Sequence, residues 1–264
     1  MKQLVINFFK KNFGTKKMQK IYETLHHVSL QGMNFGNGSD FKESGELYAI
    51  QYAKNKLKRE KTLTVFDVGA NIGNYAQQLS QLFESNTTIH SFEPSEKTFE
   101  KFMQNTEGVS NIIANNFGLS DTETSLLLYT NQDTSGIASL YKRNLEHFGI
   151  SMDKQEEIKL STVDIYCKNN NINEIHFLKM DIEGNELNAL KGAKRMLENN
   201  NIHFIQFEFG GCNIDSRTYF QDFYYLLKDK YRIYRILKDG LLEISTYKET
   251  YEIFTTINYL AEKR

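Results

Sequence analysis

Cysteine, proline and tryptophan are scarce in this chain of 264 residues, which contains two cysteines, one proline and no tryptophan. Cys167 and Cys212 lie far apart in the sequence, and their spacing is not that of a metal-binding motif. Disulfides are typical of oxidising compartments, so the shortage of cysteine fits a reducing environment. We therefore expect a cytoplasmic protein.

Long apolar runs are also missing. No stretch approaches the roughly 20 apolar residues that a membrane-spanning helix needs. Residues 1–17 contain a short apolar run that is broken by Asn7 and flanked by lysines, without the long apolar region and cleavage site of a signal peptide. We expect this segment to form a helix packed on the main domain. An amphipathic helix at a membrane surface is the alternative.

Neither sign of charge dominates, because 32 basic and 33 acidic residues give a formal net charge of −1. A global field that would attract nucleic acid or an anionic membrane is therefore not expected. Basic stripes interleaved with aromatic residues are also missing, which further disfavours a nucleic-acid partner. The length fits one sizeable α/β domain with additions.

From residue 62 onward, short apolar runs alternate with helical patterns, which is typical of parallel βαβ construction. Strands are predicted at 62–67, 87–92, 109–115, 125–129, 157–160, 175–180, 202–208, 231–237, 241–244 and 254–260, and helices at 73–84, 95–105, 162–169, 185–197 and 216–228. The polar region 130–156 is the expected mobile segment. We predict a helical extension or lid over residues 1–60 and one α/β domain over residues 61–264.

A glycine turn, DVGANIG, links the first predicted strand to its helix at residues 67–73. Gly69 can adopt backbone angles closed to other residues, and Asn71 is among the few side chains that tolerate positive φ. Gly73 lets the helix begin close to the strand. The ending of a dinucleotide-binding loop is missing, and Asp67 would repel a pyrophosphate. The turn therefore favours S-adenosylmethionine, which is cationic and phosphate-free; a capping role for Asp67 is the alternative.

Four predicted strands end in an acidic residue, namely Asp67, Glu93, Asp181 and Glu208. Ligands of open parallel sheets bind beyond the carboxyl ends of the strands, so we expect these carboxylates to face one crevice. Glu93 follows Gly73 at the distance where a carboxylate can accept hydrogen bonds from both ribose hydroxyls. Capping of the next helix is the alternative role for Glu93.

The segment LKMDIEGNE, residues 178–186, begins within the predicted strand 175–180 and continues beyond its end. Lys179, Asp181 and Glu183 alternate and share one side if the backbone stays extended. Asp181 is a candidate general base, metal ligand or carboxylate near the positive end of the cofactor, and Glu208 can join it in binding a divalent cation. Asp181, Glu208 and Lys179 are therefore the candidate catalytic residues.

The segment after the third predicted strand is a candidate adenine site. Ser120 and Asp121 follow the third predicted strand, where Asp121 can accept a hydrogen bond from an adenine amine and Phe117 or Leu119 can stack on the ring; an ordinary turn is the alternative. Several side chains are instead expected to pack in the core or to lie on the surface. We expect His90, His176 and His203 and the stripe Tyr219, Phe220, Phe223, Tyr224 and Leu227 in the core. We expect Tyr141, Lys142, Arg143 and His147 on the surface, and contact with an acceptor is their alternative role.

Taken together, these motifs resemble the FkbM family of S-adenosylmethionine-dependent methyltransferases. The resemblance runs from about residue 65 to residue 208 and rests on DVGANIG, Glu93-Pro94, Ser120-Asp121, LKMDIEGNE, the following Leu190–Ala193 and the closing segment Asn258–Ala261.

The resemblance implies a Rossmann-like class I methyltransferase fold, with a seven-stranded, mostly parallel sheet whose last strand is antiparallel. It also implies methyl transfer to oxygen, often on a sugar or polyketide hydroxyl, and it places Glu46 over the amino-acid end of the cofactor. Transfer to nitrogen or to a non-sugar acceptor is the runner-up, and a catalytically inert cofactor-binding scaffold is the third possibility. The sequence leaves a homo-oligomer open.

Overall fold

The computed structural model describes residues 10, 13–36, 41, 43–83 and 86–264, and all structural statements below concern these residues. Most of the helix predicted within residues 1–17 lies outside them. The helices are α1 (Gln19–Gly32), α2 (Glu46–Leu57), α3 (Asn74–Phe83), α4 (Glu96–Asn105), α5 (Val163–Asn169), α6 (Glu186–Lys191), α7 (Lys194–Glu198), α8 (Cys212–Ser216) and α9 (Phe220–Leu227). Short 3-10 turns cover Lys16–Met18, Glu146–Phe148 and Glu249–Tyr251.

The strands form two sheets. They are β1 (Leu63–Val68), β2 (Thr87–Phe92), β3 (Ile112–Asn115), β4 (Gly118–Leu119), β5 (Thr124–Thr130), β6 (Lys154–Ser161), β7 (Ile175–Met180), β8 (Ile202–Phe209), β9 (Tyr231–Leu237), β10 (Gly240–Glu243) and β11 (Ile257–Lys263). The main sheet has the order β10-β9-β11-β8-β7-β1-β2-β3, and a small sheet has the order β4-β6-β5. Strands β5 and β6 of the small sheet correspond to the strands predicted at 125–129 and 157–160, and we call residues 124–161 the insertion.

The predicted α/β class is confirmed. Strands β3, β2, β1, β7 and β8 are parallel neighbours, and β11 runs antiparallel to both β8 and β9. The expected number of seven strands was wrong by one, because β10 adds an eighth strand at the edge. A tight turn after Leu237 folds Gly240 back to pair with it, so β9 and β10 form an antiparallel hairpin.

Two predicted helices differ from the structure in their extent. The helix predicted at 185–197 is α6 and α7, separated near Gly192, where an added Cβ would lie 2.0 Å from the carbonyl oxygen of Ser120. The helix predicted at 216–228 is α9 and begins only at Phe220, while the short helix α8 before it was not predicted; Arg217 between them has a φ of 58°. The periodic pattern alone did not reveal these boundaries.

The aromatic stripe of α9 is core, as predicted. Phe223 stacks on Phe207 with ring centroids 4.7 Å apart, and Phe220 stacks on Tyr259 at 4.4 Å. Both phenylalanines of α9 are fully buried, whereas Tyr219 lies just before the helix and is 48% exposed. The stripe therefore fixes α9 on the β8 and β11 side of the sheet.

The two N-terminal helices differ in how they contact the sheet. Helix α2 buries Ala49, Ile50, Ala53 and Leu57 in the same hydrophobic core as Val65 of β1. Helix α1 has no buried residue. None of the helices in the described ranges has the length and apolar character needed to cross a bilayer.

Replacing Phe223 by alanine is expected to lower the free energy of unfolding by about 3–5 kcal/mol, because the deletion opens a cavity in the aromatic stack. Chemical denaturation followed by circular dichroism measures the loss. Leu226 lies on the exposed side of the same helix, so the control Leu226→Ala should cost less than about 1 kcal/mol. Equal losses of unfolding free energy in the two variants would show that the aromatic stack does not stabilise the packing of this helix.

Candidate functional site

The glycine turn has the backbone that the sequence predicted. Gly69, Asn71 and Gly73 all have positive φ, at 80°, 47° and 92°. Gly69 has a second role besides its positive φ, since a Cβ there would lie 1.9 Å from the carbonyl oxygen of Asp181. Its missing side chain therefore lets the turn pack against the end of β7, in addition to any room it leaves for a ligand.

Glu93 ties the turn to the helix that follows β2. One carboxylate oxygen accepts a hydrogen bond from the backbone N–H of Asn71 and the other accepts one from the N–H of Ser95, both at 3.0 Å. Burial raises the pKa of Glu93 to about 7, and the two N–H donors act against this rise. Each oxygen keeps a further lone pair, so the same carboxylate can also accept hydrogen bonds from ligand hydroxyls.

A cleft opens beside Glu93 and is walled by the turn, the end of β7 and the small sheet. Its apolar wall consists of Leu119, Leu128, Leu140, Ile158 and Leu160. Ser120 and Asp121, the predicted adenine site, are not among the lining residues: Ser120 is buried and Asp121 is exposed outside the cleft. Phe117 packs on the ring of Phe92 at 5.6 Å between ring centroids. Gly118 and Leu119 are the residues of this segment that line the cleft.

Lys179 lies at the centre of a buried cluster of charges. Its ammonium is 3.5 Å from Asp67 Oδ1 and 3.6 Å from Asp181 Oδ2, it donates to the carbonyl oxygen of Gly69 at 3.3 Å, and it lies 4.7 Å from the ring centroid of Tyr75. Burial lowers the pKa of Lys179, but attraction to the surrounding carboxylates outweighs burial and raises it overall. The predicted catalytic lysine is therefore a permanently charged group held on several sides.

Asp67 does not reach the cleft. It is fully buried, and neither carboxylate oxygen has a hydrogen-bond partner among the described residues. Burial raises its pKa, and the nearby ammonium of Lys179 counteracts this rise. The predicted acid before the turn thus faces a cation supplied by the chain itself.

Glu46, at the start of α2, reaches the same cluster from the opposite side. Its carboxylate accepts hydrogen bonds from Gln206 Nε2 at 2.8 Å and from Ser44 Oγ at 3.1 Å. Burial raises the pKa of Glu46 to about 7, Lys179 acts against the rise, and Asp181 adds to it. Three carboxylates thus surround one ammonium, and a cationic group of a ligand would offset the excess of negative charge.

A larger cavity of about 1000 Å³ adjoins the cleft, and Gly136, Asp181 and Glu183 line both. Glu183 has a φ of 51°, because β7 ends at Met180 and the chain turns there. The predicted alternation of Lys179, Asp181 and Glu183 along an extended backbone was therefore wrong. Glu183 instead forms an ion pair with Arg143. Burial and Asp181 raise its pKa to about 8, against the effect of Arg143.

Glu208 lines the larger cavity close to Glu183. Burial, followed by repulsion from Asp181 and Glu183, raises the pKa of Glu208 well above its usual value. Ligand atoms of Glu183, Glu208 and Cys212 lie within 4.8 Å of one another, and Asp181 is not in this group. Burial raises the pKa of the Cys212 thiol, which disfavours the thiolate that a metal needs. The group offers two carboxylates, and the predicted divalent cation is not supported.

The insertion contributes more side chains to the site than the sequence predicted. Arg143 was expected on the surface, but its side chain is only 10% exposed and also lies 3.7 Å from Asp215. His147 lines the same cavity. The insertion has no periodic pattern, so nothing local in the sequence signalled that these side chains fold back over the strand ends.

Glu186 stabilises the turn after β7. Its carboxylate accepts hydrogen bonds from the backbone N–H groups of Ile182 and Gly184.

Comparison with known proteins adds to this geometry. The model of the methyltransferase FkbM domain matches residues 67–235, which is more than half of the chain. Methyltransferase 1 of Beauveria bassiana is 29% identical, over 48% of this chain and 57% of its own length. The hexuronic acid methyltransferase AglP of Haloferax volcanii is 26% identical, over 63% of this chain and 64% of its own length.

Among solved structures, the chain is similar to the methyltransferase FkbM of Methylobacillus flagellatus KT. The identity is 19%, the TM-score is 0.44, and the match covers 76% of this chain and 44% of that protein. The chain thus spans less than two thirds of the length of each of these three relatives.

The raised pKa of Glu46 gives a test of the buried cluster. The folded protein retains a proton at Glu46 that the unfolded chain releases between about pH 4.5 and 7, so this contribution to stability is lost as the pH rises. Glu46→Gln removes the effect. From pH 5 to pH 8 the variant should gain about 1–3 kcal/mol of unfolding free energy relative to the wild type.

Urea denaturation at several pH values measures this difference. Glu107 is exposed, so the control Glu107→Gln should follow the wild-type pH dependence. A Glu46→Gln curve parallel to that of the wild type would contradict the buried, partly protonated state of Glu46.

Proposed function

Because the chain belongs to the FkbM methyltransferase family, we propose that it transfers a methyl group from S-adenosylmethionine to a hydroxyl group of a sugar or glycan. The observation that carries this proposal is that the cleft and the larger cavity adjoin each other and are both lined by Asp181 and Glu183. The cleft beside the glycine turn is the cofactor site, and the larger cavity is the acceptor site. The similarity to a hexuronic acid methyltransferase supports a sugar acceptor.

The cleft suits the two chemically different ends of this cofactor. Glu93 accepts hydrogen bonds from the ribose hydroxyls beside Gly69 and Asn71, and Leu119 packs on the adenine in place of the predicted Ser120 and Asp121. At the other end, Asp181 and Glu46 face the sulfonium and ammonium groups. Asp67 and Lys179 are buried and do not contact the cofactor. They contribute indirectly, because Lys179 pairs with both Asp67 and Asp181 and thereby fixes the position of Asp181.

The extension over residues 1–60 contributes to this site through Glu46. Helix α2 packs into the core through Ala49 and Ile50, so it holds Glu46 against Gln206 in the buried charge cluster. We keep the predicted division at residue 60 as a description of sequence organisation, with the methyltransferase domain over residues 61–264.

The cofactor, when bound, supplies an activated methyl group on a positively charged sulfur. The chain must hold the acceptor oxygen in line with that carbon–sulfur bond, and such positioning can lower a barrier by about 7–11 kcal/mol. As the oxygen–carbon bond forms, the carbon–sulfur bond breaks and its electron pair stays on sulfur. The hydroxyl proton passes to Glu208 or Asp181. Glu208, which lines the larger cavity, is the candidate base, and Asp181 is the alternative.

Labelled methyl transfer across acceptor classes tests the proposal. Incubation with S-adenosylmethionine carrying a labelled methyl group should place the label on hydroxyl groups of mono- and oligosaccharides, with a mass increase of one methyl group. Label confined to amines would contradict the sugar hydroxyl and favour the nitrogen alternative. Cofactor binding without turnover on any acceptor would favour the inert scaffold.

Replacing the candidate base tests the mechanism. Glu208→Gln should lower kcat by about 10²–10⁴-fold, the usual contribution of general acid–base catalysis, with little change in the affinity for the cofactor. Steady-state kinetics and calorimetry measure the two effects. Glu243 is exposed on the edge strand β10, so Glu243→Gln serves as the matched control. Unchanged kcat in Glu208→Gln would move the role of base to Asp181.

A further inference from the structure

We propose that the N-terminal arm, residues 13–33, docks on an anionic lipid bilayer. The arm consists of the 3-10 turn Lys16–Met18 and helix α1, with the residues on either side. Helix α1 buries none of its apolar side chains. The proposal is independent of the chemistry at the strand ends.

An apolar stripe runs along one face of α1. Ile21, Leu25 and Val28 follow one another at intervals of four and three residues, which places them on the same side of a helix. They are 48%, 47% and 57% exposed. Phe13 is 58% exposed and lies beside Tyr22, with ring centroids 6.0 Å apart. Grouped exposed apolar side chains of this kind mark an interaction surface.

The charge of this region identifies the partner. Residues 1–36 contain six lysines and one glutamate, whereas the whole chain has a net charge of −1. Lys16, Lys17 and Lys20 are exposed at the start of the helix that carries the apolar stripe. An apolar face with flanking lysines fits an interfacial helix on anionic lipid. The same lysines would repel each other if two arms paired, so a second copy is disfavoured as the occupant.

The base of the arm is fixed to the main domain beside the larger cavity. Leu30 and Met33 pack against the core, and Asn34 Nδ2 donates to the carbonyl oxygen of Ser44 at 2.9 Å. The N–H of Gly36 donates to the carbonyl oxygen of Thr256 at 2.8 Å, and these two residues line the cavity. Docking of the arm would therefore hold this cavity close to the bilayer. If the proposed function holds, a glycan attached to a lipid would be within reach.

Vesicle sedimentation tests the docking. The full chain is mixed with vesicles of phosphatidylcholine alone or with about 30% phosphatidylglycerol, and the bound fraction is measured. The wild type should bind the anionic vesicles and not the neutral ones. The triple variant Ile21→Ser, Leu25→Ser and Val28→Ser should bind about tenfold more weakly.

Charge-reversal variants test whether binding depends on the lysines of the arm or on basic residues anywhere on the protein. Lys16→Glu, Lys17→Glu and Lys20→Glu together should reduce binding about tenfold or more, as should about 0.5 M sodium chloride, because both weaken the attraction to anionic headgroups. The matched control carries the same charge change at three exposed basic residues after α2, namely Lys58→Glu, Arg59→Glu and Lys61→Glu, and should bind like the wild type.

Three results would overturn the proposal. They are absence of wild-type binding, equal binding to neutral vesicles, and equal losses in the arm and control variants. A wild-type dimer that the serine variant converts to a monomer, without vesicle binding, would assign the stripe to a second copy instead. Circular dichroism confirms that each variant folds. Methyl transfer to a water-soluble acceptor should be unchanged in the arm variants, so failure of the docking and failure of the proposed function give different results.

Discussion

A buried row of polar side chains across the main sheet is the constraint on which the site depends. Asp67 of β1 pairs in register with Lys179 of β7, which pairs with Gln206 of β8. Neighbouring residues in register point to the same face of a sheet, so these three side chains meet below α2 and α3. A buried ammonium is tolerated only when it is paired, and removal of one partner leaves an uncompensated charge. The row therefore fixes the end of β7, where Asp181 follows.

This row also links helix α2 to the sheet. Gln206 donates to Glu46 of α2, and Tyr75 of α3 donates to Gln206 at 3.2 Å. Helix α2 thus contributes a carboxylate to the cluster in addition to its apolar face. A cationic cofactor bound at Asp181 would complete the charge balance of a cluster that has more carboxylates than ammonium groups.

The sequence predicted the features that depend on local chemistry. The positive φ of Gly69 and Asn71 and the burial of the α9 stripe follow from residue type and spacing, and the α/β class follows from the alternation of strands and helices. The pairing of Asp67 with Lys179 could not be predicted, because strand order does not follow from strand succession. The position of Arg143 and of most of the apolar wall could not be predicted either. The insertion brings these side chains to the strand ends, and no local sequence pattern indicates how it folds.

Asp181 owes its position to two contacts with residues distant in sequence and to one with its near neighbour Lys179. Its N–H donates to the carbonyl oxygen of Val68 at 3.0 Å, its own carbonyl oxygen fills the space left by Gly69, and its carboxylate lies beside Lys179. Each contact comes from a different strand or turn, so small displacements of any one are resisted by the others. A carboxylate held in this way between two cavities can select the orientation of a ligand in one and of an acceptor in the other. Rigid placement, more than intrinsic reactivity, is what the fold contributes at this point.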